Sequence, residues 1–370
     1  MPEQNPCAEV DYVVHNVGYP GRIVQCKPFG DGHINDTFAV VCRNDDNSET
    51  RYVLQRINHE IFKSPRQVME NVVYITQFLR EKLCAAGENP DRGTISYLRM
   101  PGGDYCFCDA IGSYWRSYRF IEDATSFDTV QCPEDFYQSA VAFGRFQQLL
   151  ADFDASHLHE TIPDFHNTPV RFERFCHAVE QDACGRAKSV AKEIAFVKER
   201  AEFMHTLTDL LQKNEIPLRV THNDTKLNNV LFDQKTRKAI CVIDLDTVMP
   251  GLSVYDFGDS IRFGATTAAE DEPDLSKVNF DLNLFELYTK GYLEGCNGSL
   301  TQTERAMMPE GAKMMTLECG MRFLTDYLEG DHYFKISRPN QNLDRAHTQF
   351  KLVADMEACW DEMHHIVEQY

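Results

Sequence analysis

The sequence predicts an α+β protein of two lobes: a β-rich N-terminal lobe over residues 1–121 and a mainly helical C-terminal lobe over 133–370, joined by a connector over 122–132. Three observations predict it. Short β-branched and aromatic runs, separated by turn residues, fill the first third; apolar residues at steps of three and four fill most of the rest; and one short β island interrupts the helical part. With 370 residues, 43% of them hydrophobic and 11% aromatic, the chain can bury a large core, which excludes a disordered or fibrous chain.

Ile23 to Phe29, Thr37 to Cys42 and Tyr52 to Ile57 read as strands. The first turn between them, Gly30-Asp31-Gly32-His33-Ile34-Asn35-Asp36, is small and polar; the second, Arg43 to Thr50, is charged. Pro65 suits a first helical turn. From there Val68, Val72, Ile75, Leu79 and Leu83 make one apolar stripe, which Gly87 stops. Strand runs at Tyr105 to Cys108 and Trp115 to Ile121 complete the first lobe. Beyond Pro133, Phe136, Ala140, Phe143 and Leu150 mark one helix, and Ile194, Val197, Ala201, Met204 and Leu211 another. The β island is Arg219-Val220, Val230 to Phe232 and Ile240 to Leu245. Helical periodicity returns from Leu282, as over Met315 to Leu328 and Phe350 to Val367.

Lys and Arg number 37 against 57 Asp and Glu, a net charge of −20. A surface that acidic repels phosphodiester backbones and anionic lipid, so neither nucleic acid nor membrane is an expected partner. No run approaches the roughly 18 uninterrupted apolar residues of a membrane span. The first dozen residues lack the basic and apolar regions of a secretory signal. The 13 cysteines are odd in number and spread singly, and the close pair Cys106 and Cys108 has the wrong spacing for a zinc knuckle. Reduced cysteines in a cytoplasmic protein are expected.

The chemistry lies in Val220-Thr221-His222-Asn223-Asp224-Thr225-Lys226-Leu227-Asn228-Asn229-Val230. Its skeleton is His-x-Asp-x4-Asn before an apolar strand, and Ile240-Cys241-Val242-Ile243-Asp244-Leu245-Asp246 is a second apolar strand ending in acids. In kinases a catalytic-loop Asp takes the acceptor hydroxyl's proton and an Asn five residues later reaches metal. By that spacing Asp224 is the candidate base. Asn229 and Asp244 are the candidate ligands of Mg²⁺, which takes a few hard oxygens together with the phosphates of ATP. Each residue alone also fits a turn or a buried polar network; the three in this order and spacing favour the joint reading. The literal Asp256-Phe257-Gly258 lies 27 residues after Asn229, too far for the metal tripeptide of protein kinases. Asp256, with His222, is therefore expected to orient the catalytic loop, and Asp246 is a weaker metal or water contact.

Gly30-x-Gly32-x-x-Asn35 is a candidate phosphate-covering turn, with Gly30, Gly32 and His33 near the nucleotide. No G-x-x-x-x-G-K-[ST] occurs, which excludes a P-loop. In the third strand Gln55 takes the register where kinases usually place a lysine on the α- and β-phosphates, and Arg56 follows it. Glu70, in the next helix, would be the lysine's usual partner, so the Lys–Glu clamp is not expected to form.

These residues resemble the aminoglycoside phosphotransferase/choline kinase group of small-molecule kinases, which share a protein-kinase-like fold. The wider blocks are similar to the N-acetylhexosamine 1-kinase family. They run from Gly30-Asp31-Gly32-His33-Ile34-Asn35 through Asp256-Phe257-Gly258-Asp259-Ser260-Ile261-Arg262-Phe263-Gly264 to Glu318-Cys319-Gly320-Met321-Arg322-Phe323-Leu324. That resemblance implies transfer of a phosphoryl group from ATP, with Mg²⁺, to the anomeric hydroxyl of GlcNAc or GalNAc, so that a small-molecule sugar and ATP are the expected partners. It implies Asp224 as base, Asn229 and Asp244 at the metal, His33 and Phe263 lining the cleft, and Arg322 and Tyr333 meeting the sugar or its acetamido group. Two other readings stay open: the same architecture acting on another sugar or an amino alcohol, and a catalytically inactive kinase-like binding module.

Overall fold

The computed structural model describes residues 6–30 and 35–370, with side chains from Val10 onward. Gly32 and His33 of the candidate phosphate turn lie outside the described residues. The chain forms two compact units. The first comprises the chain up to Ala124 with His157–Ile162 and Ile243–Val248; the second comprises Thr125–Ser156, Pro163–Val242 and Met249–Tyr370. No shift of composition marks the two short segments that return to the first unit. Among the described residues no helix is long and apolar enough to cross a membrane.

In the first unit α1 (Pro6–Asn16) precedes β1 (Arg22–Pro28), β2 (Asp36–Arg43), β3 (Glu49–Ile57), α2 (Pro65–Ala85), the single turn α3 (Pro90–Gly93), β4 (Phe107–Cys108) and β5 (Tyr114–Arg119). The strands make one antiparallel sheet in the order β1-β2-β3-β5-β4. Alternation along the strands buries Val40, Cys42, Leu54 and Trp115 in a cluster with Val10, Val13, Val14 and Val17. Those valines stand at i, i+3, i+4 and i+7, a helical signature whose single short window left α1 out of the expected elements. The stripe of α2 is buried from Val68 to Leu83. Gly87, at φ 73°, turns the chain after it, and the N–H groups of Gly87 and Glu88 reach the carbonyls of Cys84 and Leu83. The register sets Gln55 of β3 opposite both Thr37 of β2 and Arg116 of β5, so the three side chains share a face.

After β6 (Ala124–Thr125), at the unit boundary, the chain runs through α4 (Pro133–Leu149), α5 (Thr168–Gln181), α6 (Ala191–Lys198), α7 (Thr206–Gln212), β7 (Arg219–Thr221), β8 (Val230–Asp233), β9 (Ala239–Val242), β10 (Met249–Gly251), α8 (Ser253–Gly264), α9 (Leu282–Cys296), α10 (Gln302–Ala306), α11 (Met308–Glu329), α12 (Gln341–Ala358) and α13 (Trp360–Gln369). Two expected helices are each two. Between α6 and α7 the N–H groups of Arg200 and Ala201 bond three residues back, to Val197 and Lys198, and the Arg200 guanidinium takes the Phe196 carbonyl, which tightens and ends the helix. Cys359, at φ −116°, divides α12 from α13; the apolar stripe hides the break because Met356, Met363 and Ile366 enter the same core. That core gathers Phe136, Phe257, Phe285, Tyr288 and Tyr292. Helices α8 and α11 approach so closely that a Cβ on Gly258 would lie 2.2 Å from the Gly311 carbonyl oxygen. The Gly of the Asp-Phe-Gly tripeptide is thus explained by helix packing.

Candidate active site

The loop after β7 carries the motif. His222 is fully buried, its ring edge-on to Phe143 and Phe146 at centroid distances of 5.4 and 6.0 Å. Asn223, at φ 63°, turns the chain so that Asp224 emerges with its side chain 22% exposed. Asn229 Nδ2 donates to the Asp224 carbonyl at 2.7 Å and to Asp224 Oδ2 at 3.1 Å. Lys226 Nζ lies 3.0 Å from the same Oδ2. The Asp224 carboxylate is therefore fixed through one oxygen by an amide and an ammonium, and the Asn229 amide turns its nitrogen to Asp224, leaving Oδ1 as the oxygen it can offer a cation. Lys226 was not among the expected site residues.

Helix α8 supports this loop with one face. Asp256, Asp259 and Ser260 stand at i, i+3 and i+4. Asp256 accepts the N–H of His222 on Oδ2 and of Asn223 on Oδ1, each at 2.8 Å, and Gln147 Nε2 at 2.9 Å. Asp259 Oδ2 accepts the Thr225 N–H at 3.0 Å, Thr225 Oγ1 donates to the Asp256 carbonyl, and Ser260 Oγ donates to the Thr225 carbonyl. Burial pushes the Asp256 carboxyl up from its ordinary value, against the pull of His222 and the loop's N–H groups. Replacing Asp256 by Asn is expected to lower kcat by about 10- to 100-fold, the range for partners that orient a site from behind, with half-saturating Mg²⁺ unchanged. Kinetics titrated in Mg²⁺ check this; a tenfold higher metal requirement would make Asp256 a metal residue.

The expected strand does not reach Leu245. It ends at Val242, and Asp244 sits at φ 58° before the tight turn Leu245–Thr247. Asp246 does not suit a metal: it is 4% exposed and its carboxylate holds both Arg116 Nη atoms and, at 2.7 Å, Asn35 Nδ2. Gln55 accepts from Arg116 Nε at 3.0 Å and donates to Thr37 Oγ1 at 3.2 Å. Glu70 bonds His159 Nε2 at 2.6 Å, so no Lys–Glu clamp forms. Arg56 pairs with Asp36 on the sheet face opposite Gln55, beside the Trp115 ring. Gly30, at φ 76°, holds the left-handed conformation that glycine adopts most readily.

The remaining expected residues fall on two cavities of the second unit. Arg322 and Tyr333 stand together, the guanidinium carbon 5.9 Å from the Tyr333 ring centre and 5.6 and 5.5 Å from those of Phe165 and Phe334. They line a depression of about 30 Å³ with Arg171 and Arg174. Arg174 pairs with Glu329, whereas among the described residues Arg322 and Arg171 have no ion pair. Burial, then the neighbouring Arg322 charge, lowers the pKa of Arg171 from its ordinary value, and its Nε has no hydrogen-bond partner. Phe263 lies elsewhere, on a cavity of about 750 Å³ that Lys226, Asn228 and Glu270 also line. Its ring lies 3.7 Å from the Arg262 guanidinium carbon and 6.0 Å from Lys226 Nζ.

Comparison with known proteins adds the family. Residues 25–290 match the phosphotransferase enzyme family, APH. Among solved structures, the fold is similar to that of an aminoglycoside phosphotransferase from Alicyclobacillus acidocaldarius subsp. acidocaldarius DSM 446, at 13% identity and a TM-score of 0.62 over 100% of this chain and 98% of that one. A microcompartment-associated aminopropanol kinase gives 14% and 0.60, covering 97% of this chain and 98% of that one. The choline kinase from Streptococcus pneumoniae gives 10% and 0.53, covering 95% and 99%. At these identities the structural likeness is one of fold: the α+β, kinase-like fold of a β-sheet N-lobe and a helical C-lobe that the sequence predicts. With the family match running over most of its length, the chain belongs to the phosphotransferase enzyme family, APH.

Proposed function

We propose that the protein transfers the γ-phosphoryl group of ATP, with Mg²⁺, to the anomeric (C1) hydroxyl of an N-acetylhexosamine such as GlcNAc or GalNAc. The observation that carries the phosphotransfer reading is the Asp224 loop, with Asn229 and Lys226 on one carboxylate oxygen and Asp256 and Asp259 on its backbone. Phosphoryl transfer asks for positioning and charge neutralisation more than covalent chemistry. Because Oδ2 of Asp224 is engaged, Oδ1 orients the acceptor hydroxyl and takes its proton. A C1 hydroxyl is more acidic than the other hydroxyls of a free sugar, so an aspartate suffices there. Asn229, through Oδ1, and Asp244 are the residues that would hold Mg²⁺, which when bound neutralises charge on the phosphate oxygens. Lys226 adds a cation beside the base.

The sugar reading rests on the family resemblance and is supported by Arg322, a guanidinium with no ion pair among the described residues that suits the acetamido oxygen, with Tyr333 as an aromatic wall. An amino-alcohol acceptor is the second reading, favoured by the fold shared with an aminopropanol kinase and a choline kinase. Two neighbouring guanidinium groups repel a cationic acceptor, so at this depression the sugar is preferred.

A methyl glycoside, blocked at C1, is expected to consume no ATP. Removing the acetamido group is expected to weaken binding by about 1–3 kcal/mol, as for lost polar contacts. Arg322→Ala is expected to penalise the acetamido sugar more than its deacetylated analogue. Steady-state kinetics with the three acceptors check this; robust turnover of the methyl glycoside, or an equal penalty on both sugars, would reject it.

A further inference from the structure

Position 55 lacks the lysine that commonly meets the phosphates, yet the face around it is not without positive charge. We propose that Arg116, acting through Asp246, is the positioning residue that replaces that lysine: it fixes the acid turn carrying Asp244 and ties it to the exit of the Gly30 turn. The inference rests on Asp244 as the metal ligand.

Every link lies within the first unit. Gln55 and Arg116 are directly opposed on β3 and β5, and Gln55 Oε1 accepts from Arg116 Nε at 3.0 Å. That bond aims the guanidinium fork at Asp246, where Nη2 meets Oδ2 at 2.9 Å and Nη1 meets Oδ1. Asn35 closes the network: its Nδ2 donates to Asp246 Oδ2 at 2.7 Å and its Oδ1 accepts the Asn58 N–H at 3.0 Å. Arg116 and Asp246 are 1% and 4% exposed. A pair so buried gains little net stability, because desolvation offsets its attraction, and fixing geometry is the better-supported use of such pairs. What this pair fixes is the turn that begins at Asp244. The turn is also held at its far end, where the Val248 N–H reaches the Leu245 carbonyl at 3.1 Å and Asn71 Nδ2 takes the Val248 carbonyl at 3.0 Å. The fork has a second effect. Two acids stand two positions apart, and Arg116 neutralises Asp246, so that Asp246 adds no repulsion toward a phosphate. A lysine at 55 would present its charge to phosphate directly; here the charge is spent on holding the acid turn.

Arg116→Lys keeps the charge and loses the fork. Its KM for Mg·ATP and its half-saturating Mg²⁺ are each expected to rise about tenfold or more, with the acceptor KM unchanged. The double variant Arg116→Gln, Asp246→Asn removes both charges at once; melting temperature establishes that it folds, and the same rise is expected. Arg219→Lys, in the buried Arg219–Glu304 pair of the second unit, is the control for a merely structural loss: it is expected to lower the melting temperature and leave the Mg·ATP KM unchanged. Wild-type Mg·ATP KM and metal requirement in Arg116→Lys or in the folded double variant would overturn the proposal, as would the same rise in the control. If Asp244→Ala left metal-supported nucleotide binding intact, the metal assignment would fail, and this proposal with it.

Discussion

Asp224→Asn is expected to lower turnover by roughly 10²–10⁴-fold, the range for a lost general base, while ATP still binds with nearly its normal affinity. The asparagine keeps the shape of the side chain and can still meet Lys226, so the loop held by Asp256 and Asp259 has no reason to move. What is lost is an oxygen able to accept the acceptor's proton. The effect should appear in kcat, with little change in the nucleotide's dissociation constant measured by calorimetry. Near-normal turnover would remove Asp224 from the role of base.

Asp244→Ala is expected to abolish both Mg²⁺-supported ATP binding and activity. Mg²⁺ is held by one or two carboxylates together with substrate phosphates, so deleting one ligand removes much of what the protein contributes. Asp246 cannot take over while Arg116 and Asn35 occupy its carboxylate. The contrast with Asp256→Asn is diagnostic: one variant loses metal-dependent binding, the other keeps it and loses rate. Nucleotide titrations at several Mg²⁺ concentrations separate the two, and the reverse pattern would mean that the Asp-Phe-Gly tripeptide is the metal site after all.

The strand and helix stripes were legible because side-chain alternation and the 3.6-residue period show directly in the order of apolar residues; α1 was missed because its window is short, and two helices were each read as one where a stripe continues across a break, at Arg200 and at Cys359. Spacing along the chain names Asp224, Asn229 and Asp244 as candidates, and the structure hydrogen-bonds Asn229 to Asp224. The support around them was not legible. Asp259 and Ser260 act only because α8 turns one face toward the loop, a face that Asp256, Asp259 and Ser260 do spell at i, i+3 and i+4 once the helix is known. Arg116 meets Asp246 across 130 positions, a contact between a strand and a turn that no local pattern announces. Gln55 signalled a missing lysine and gave no hint of the arginine beside it. Arg322 and Tyr333 share one depression, whereas Phe263 borders another cavity, a separation invisible to a motif that treats the three alike.

The proposed reaction is ATP-dependent phosphorylation of a free N-acetylhexosamine at C1. Incubating the protein with ATP, Mg²⁺ and, in turn, a panel of free sugars, their methyl glycosides and small amino alcohols, then taking the phosphorus NMR spectrum of each product, tests it most directly. ATP consumption with GlcNAc or GalNAc is expected, with a phosphomonoester resonance coupled to the anomeric proton. A product phosphorylated at C6, or turnover of the amino alcohols with none of the acetamido sugars, would contradict it.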